Sequence, residues 1–154
     1  MAKFKFSLDA LLRVKQLKKK QTEGEYAKAQ RELDMQRAVL SKLVDEYRGL
    51  TSDMEQLTAK GTTARHMKLY ASYSGLLQKR IKFQEQVVAE ASNNLDSIKV
   101  RLIGLVREVN VLSEMKERQY YQYLLETEKR YQKVVDEYAG YKIYRQGGQV
   151  NGKE

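Results

Sequence analysis

Apolar residues recur along this chain at alternating steps of four and three, and that period leaves few folds open. In the first half the spaced positions are Leu8, Leu12, Lys15, Lys19, Thr22, Tyr26, Ala29, Leu33, Gln36, Leu40, Leu43, Tyr47, Leu50, Met54 and Leu57. Eleven of these fifteen are apolar. The mean repeat is half a heptad, which is the seam of a coiled coil rather than the broader stripe of a globular helix. Composition agrees. The 154 residues include no proline, no tryptophan and only 9 glycines. A β-sandwich, barrel or α/β enzyme needs many proline and glycine turns and is therefore excluded.

The pattern breaks at Ala59-Lys60-Gly61-Thr62-Thr63. Gly61 suits a left-handed C-terminal cap, and Thr62 or Thr63 suits the next N-cap. So short a connection makes the flanking helices antiparallel neighbours. A second seam follows: Met67, Tyr70, Ser74, Leu77, Ile81, Gln84, Val88, Ala91, Leu95, Ile98, Leu102, Leu105, Val109 and Leu112, of which twelve of fourteen are apolar. Beyond it the spacing runs through positions 112, 116, 120 and 124, a stutter that locally unwinds a supercoil. The register resumes at Leu124, Thr127, Tyr131, Val134, Tyr138 and Tyr141. The expected organisation is all-α: one antiparallel two-helix coiled-coil hairpin over residues 1–146. Helix 1 covers about 7–58, the turn 59–63 and helix 2 about 63–144, and the polar residues 147–154 form a disordered tail. Ser7 is the expected N-cap, with Asp9 favoured by the helix dipole in the first turn.

Folding one seam onto the other about the turn tests this arrangement. Leu8 then meets Leu112, Leu12 meets Val109, Ala29 meets Ala91, and the large Tyr47 meets the small Ser74. Gln36 meets Gln84, so the polar residue of one seam faces the polar residue of the other. A matched buried amide pair fixes register at some cost in stability. The competing arrangement, a parallel homodimer of long helices, would ignore the turn.

Helix 2 outruns helix 1, so residues from about 116 to 144 are expected to project beyond it. That stretch carries Tyr120, Tyr121, Tyr123, Tyr131, Tyr138, Tyr141 and Tyr144, seven of the 11 tyrosines. A lone helix cannot bury such a surface on itself, which implies a partner or, more blandly, a frayed tail. A second uncovered feature is an off-seam ridge of Tyr73, Leu76, Phe83 and Val87, with Arg80 between them. It reads either as a binding face or as ordinary scattered surface apolars. Lys15, Lys19 and Thr22 interrupt the first seam near its open end. They read as a basic end for an acidic partner, as lysine stems lying along Leu102 and Leu105, or as both.

Chemistry has little to stand on. His66 is the one histidine, cysteine is absent, and no carboxylate cluster has metal-ligand spacing. No glycine-rich phosphate loop occurs, and a two-helix coil offers no pocket that excludes water. We therefore expect no catalytic residue, no metal and no cofactor. The absence of cysteine suits a reducing cytosol. No run of about 18 apolar residues exists to span a bilayer. The basic start MAKFKFSLDALLRVK is interrupted by Lys5 and Asp9 and does not read as a leader. The net charge of +9 attracts nucleic acid, acidic membranes or acidic proteins without choosing among them.

Three segments carry a family resemblance. The start, Phe4-Lys5-Phe6-Ser7-Leu8-Asp9-Ala10-Leu11-Leu12-Arg13-Val14, is similar to an F-x-L-x-x-L-L-x-[VLI] pattern. The middle is Met67-Lys68-Leu69-Tyr70-Ala71-Ser72-Tyr73, followed by Leu77, Ile81 and Gln84. The end is Glu114-Met115-Lys116-Glu117-Arg118-Gln119-Tyr120, with Glu128-Lys129 and Asp136-Glu137. In this order, and with this turn position, the chain to about residue 145 resembles the FliJ family of flagellar type III export proteins. The resemblance implies a stalk whose open end enters the hexameric export ATPase and promotes its assembly and turnover. It further implies contact with the cytoplasmic domain of the membrane export gate, and escort of export chaperones. The place would be cytoplasmic, peripheral at the inner face of the membrane. Carried onto this chain, the ring-facing residues would be Phe4, Phe6, Leu8, Leu11, Leu12, Arg13, Lys116, Arg118, Tyr120, Tyr123 and Tyr131. Tyr73, Leu76, Phe83 and Val87 would face the gate.

Two other classes compete. A basic coiled coil could bind nucleic acid, but no recognition motif is present and many cations alternate with acids, so no specific nucleic acid is expected. A scaffold at a membrane or cytoskeletal surface would need stable dimerisation or a one-sided cationic face, which residues 1–20 could supply.

Overall fold

A computed structural model describes residues 3–150, with side chains through Gly147. It holds two helices packed against each other, α1 (Asp9–Lys60) and α2 (Ala64–Val150), and no strand among the described residues. The all-α antiparallel two-helix hairpin expected from the seams is what forms. α1 begins and ends two residues later than the expected 7–58. α2 runs six residues past the expected end at 144, so residues 147–150, expected in a disordered tail, are helical. Glycine disfavours a helix by only about 1 kcal/mol, and no proline is present to stop it. The rest of that expected tail, 151–154, lies outside the described residues.

Contacts divide the chain into two compact units, residues 17–106 and residues 1–16 with 107–154. The first contains the turn. Gly61 has φ of 87°, the left-handed value that glycine adopts without a Cβ penalty, and its N–H bonds the Thr58 carbonyl at 3.3 Å. Thr63, rather than Thr62, caps α2. Its carbonyl accepts from Met67 N–H at 3.1 Å and its hydroxyl from His66 N–H at 3.4 Å. The core of this unit is built from Ala29, Leu33, Leu95 and Ile98, flanked by Tyr26, Val88 and Ala91. Leu77 is its most enclosed side chain, 0% exposed. These are seam residues, and Ala29 and Ala91, set opposite each other when the seams are folded together, belong to this one core.

The polar layer forms as well. Gln84 Nε2 donates to Gln36 Oε1 at 2.6 Å and to the Gln36 carbonyl at 3.1 Å. Gln36 Nε2 in turn donates to Glu32 Oε1 at 2.7 Å. Thr22, buried on the seam, resolves its hydroxyl locally by donating to the Lys18 carbonyl at 2.9 Å. Tyr47 OH accepts from Gln78 Nε2 at 2.8 Å, so this tyrosine keeps its ring in the seam and its hydroxyl at the rim.

In the second unit the N-terminal residues do something the heptads do not encode. Residues 3–6 are non-helical, and a turn closed by Asp9 N–H on the Phe6 carbonyl at 3.2 Å leads into α1. The first helical bond, Leu12 N–H to the Leu8 carbonyl at 2.9 Å, puts the N-cap at Leu8, one residue beyond Ser7. Along this segment exposure alternates: Lys3 and Lys5 are exposed, Phe4 is half-buried and Phe6 is 7% exposed. That two-residue period is the signature of an extended chain lying on an apolar surface. Phe6 joins Leu12, Val109 and Leu112 in a core, with Phe4 and Leu8 packed against it.

Candidate partner-binding surfaces

The N-terminal segment acts as a strap on α2. The Phe4 ring meets Tyr120 edge-on, with centroids 5.2 Å apart, and lies tilted against Tyr123 at 5.6 Å. Tyr120 and Tyr123 stack at 6.4 Å. Aromatic contacts in these geometries contribute about 0.5–1.5 kcal/mol beyond area burial. The strap reorders the stutter. Past Lys116 the half-buried positions are Tyr123 and Thr127, and Leu124, where the sequence restarts the heptad, is exposed. The reason is the partner: an extended segment selects the face it covers, and that face is not the one a facing helix would select.

An ion cluster ties the strap's junction to α2. Asp9 accepts from Lys116 Nζ at 2.7 Å and pairs with Arg13 at 2.8 Å. The hydrogen bond from Lys116, reinforced by the nearby Arg13 charge, holds the Asp9 carboxyl below the usual carboxylate range. Lys15 reaches Glu108 at 2.5 Å, so this seam lysine keeps its stem in the interface and its ammonium group on a carboxylate.

These contacts sort the residues proposed to face a ring. Phe6 and Leu12 are core, Phe4 and Leu8 are half-buried against that core, and Lys116 is engaged by Asp9. Leu11 is 43% exposed, and the Arg13 and Arg118 side chains are open to solvent. Tyr120 is partly covered by Phe4, Tyr123 is half-buried, and Tyr131 is 64% exposed. The structure adds Val14 on α1 and Val111 and Met115 on α2, all exposed apolars of the same unit. Their signal in the sequence was an apolar residue one step off the seam, which periodicity alone counts as background.

The ridge lies in the unit that holds residues 17–106. Phe83 is its most exposed member at 67%, Tyr73 and Leu76 are exposed and Val87 is half-buried. Tyr73 is anchored across the hairpin, its hydroxyl donating to Glu46 Oε1. That bond, with partial burial, raises the tyrosine's pKa above its ordinary value. Glu46 has no apolar-period signal and was not legible as part of the ridge. Among the described residues no cluster of histidine, cysteine and carboxylates could hold a metal, and no helix is long and apolar enough to cross a membrane.

The family model described as "Flagellar FliJ protein" covers residues 4–148. No curated protein and no solved structure matches the chain.

Proposed function

The chain belongs to the flagellar FliJ family, and from that membership we propose that it serves flagellar type III export as a central stalk, engaging the hexameric export ATPase. One observation carries this reading. The unit formed by residues 1–16 and 107–154 spends Phe6 and Leu12 on its own core, yet leaves Leu11, Arg13, Arg118 and Tyr131 exposed, together with further exposed apolars of the same unit. Leucine, tyrosine and arginine on a rigid helical support make an anchor surface, and arginine and tyrosine dominate measured binding hot spots. The ring-facing set is accordingly Leu11, Arg13, Arg118, Tyr120 and Tyr131, held in place by Phe4, Phe6, Leu8, Leu12, Lys116 and Tyr123.

In the same reading the ridge of Tyr73, Leu76, Phe83 and Val87 meets the cytoplasmic domain of the export gate, and chaperones are escorted through one of these two surfaces. The protein then works without catalytic residues of its own, at the inner face of the membrane, through its partners. The test is ATP hydrolysis by the cognate export ATPase as this chain is titrated in. A saturable rise is expected, lost with Arg13→Glu or Leu11→Asn and kept with Tyr73→Ala or Phe83→Ala. Leu11 is exposed, so Leu11→Asn leaves the fold intact, whereas Arg13→Glu also breaks the pair with Asp9; Leu11→Asn is therefore the variant that separates ring contact from attachment of the strap. No rise at any ratio, with the chain folded, would remove the stalk reading.

A further inference from the structure

Beyond the strap, α2 carries a seam that is left largely exposed among the described residues. Leu124, Tyr131, Val134, Tyr138 and Tyr141 are all exposed, and with half-buried Thr127 they keep alternating steps of three and four. The Thr127 hydroxyl donates to the Tyr123 carbonyl at 2.7 Å, so its methyl is the group left to pack. A seam this regular asks for a second helix of matching period. The choice of occupant is decided by size and charge within the seam itself.

We propose that residues 124–141 pair with the same residues of a second copy, antiparallel, about a two-fold axis. In that register Tyr131 faces Val134 of the second copy, Tyr138 faces its Thr127 and Tyr141 faces its Leu124. Each tyrosine meets a smaller side chain, and its hydroxyl can reach the rim, as that of Tyr47 does within the chain. On one flank the charges agree. Arg130 comes opposite Glu137 of the other copy, and the two-fold axis makes the pair occur twice. Arg130 spans a loose 3.9 Å to Glu126 within its own helix, so it is not held there. The parallel alternative sets Tyr131, Tyr138 and Tyr141 each against its own copy. Three layers of paired tyrosines would crowd the seam and trap phenol hydroxyls between two rings. The interface is short, so the association is weak and reversible. It is independent of the export-stalk reading, and it covers Tyr131, so a dimer and a ring would compete for that residue.

Sedimentation equilibrium of the full chain, from low to high micromolar concentration, should show a monomer–dimer equilibrium. Arg130→Glu alone should weaken it about tenfold and the double variant with Glu137→Arg should restore it, as expected for two symmetric ion pairs at up to ~1 kcal/mol each. The chain has no cysteine, so single introductions report geometry directly. Thr127→Cys mixed with Tyr138→Cys should form a disulfide-linked heterodimer on mild oxidation, and neither alone should cross-link. Leu124→Cys mixed with Tyr141→Cys should behave alike and guards against loss of the Tyr138 anchor. Cross-linking of Tyr138→Cys with itself would overturn the antiparallel register. A chain that is helical by circular dichroism and stays monomeric at every concentration would overturn the pairing.

Discussion

Asp9 shows how much one side chain can couple. It stands at the first turn of α1, where the helix dipole favours a carboxylate, and it takes Lys116 from α2 and Arg13 from its own helix. Its folded pKa lies below the unfolded one, so its contribution is complete above the ordinary carboxylate range and is lost as pH falls through the depressed value. Amide exchange in residues 3–16 should therefore accelerate below about pH 4, and Asp9→Asn should abolish that step while speeding exchange at neutral pH. An unchanged acid profile in the variant would assign the effect elsewhere. The glutamine layer invites a different experiment. Gln84 donates to Gln36, and Gln36 to Glu32, but both glutamines occupy positions that leucine would fill with apolar contact. Replacing both by leucine should raise the thermal midpoint. Replacing Gln84 alone should gain less, because Gln36 Oε1 then loses its donor. A double variant that melts below the parent would show that the pair stabilises outright rather than selecting register. Both glutamines were legible because they interrupt two seams at facing places. The Asp9–Lys116 pair was not, since its partners are 107 residues apart and outside the apolar pattern.

At the scale of elements, α1 and α2 have different relations to their own sequences. Both are called for by heptads over residues 8–112, and their boundary at Gly61 follows from one backbone angle that other residues resist. The strap is a third element without helical period, and its two phenylalanines resembled partner-binding residues because nothing in the heptads offered them a place. Their role as packing residues predicts a local defect. Phe6→Ala should destabilise by ~3–5 kcal/mol if the site relaxes as little as buried cores usually do. Hydrogen exchange should place the loss in residues 3–16 and 107–127. Leu77→Ala, from the most enclosed site, should cost ~2–5 kcal/mol and raise exchange within residues 17–106. Loss of protection in both regions from either variant would mean that the two contact units unfold as one. The same data would show whether Phe4 and Phe6 hold Tyr120 and Tyr123, since those amides should open with the strap.

For the molecule as a whole, the surplus of +9 matters more than any single cation. Ion pairs such as Lys15–Glu108 and Arg101–Glu25 spend charge between the helices, while Arg13 and Arg118 pair with a carboxylate one turn away on their own helix and keep their side chains open to solvent on the surface proposed to meet a ring. An acidic partner would then be steered by charge, and at 0.1 M salt the screening length is already about 10 Å. Apparent affinity for the export ATPase should fall as salt rises, with the stimulated rate at saturation nearly constant. A loss of maximal rate at constant affinity would point to an apolar contact instead. Random duplex binding measured over the same range should be weaker and lose its affinity more steeply with salt, since it rests on charge alone.

Period and turn chemistry were enough to specify two antiparallel helices, their connection at Gly61 and the facing of Gln36 with Gln84. Each of these depends on residues that repeat or on a backbone conformation few residues can adopt. The three quoted segments likewise pointed to the family. The strap, the register after Lys116 and the sorting of Phe6 and Leu12 from Leu11 and Arg13 came from the packed chain. A one-dimensional pattern records which side chains are apolar, and it does not record which apolar surface another segment of the chain will cover. Residues 3–7 have no repeat that names their partner, and only the contact of Phe4 with Tyr120 and Tyr123 and of Phe6 with the Val109–Leu112 core reveals it.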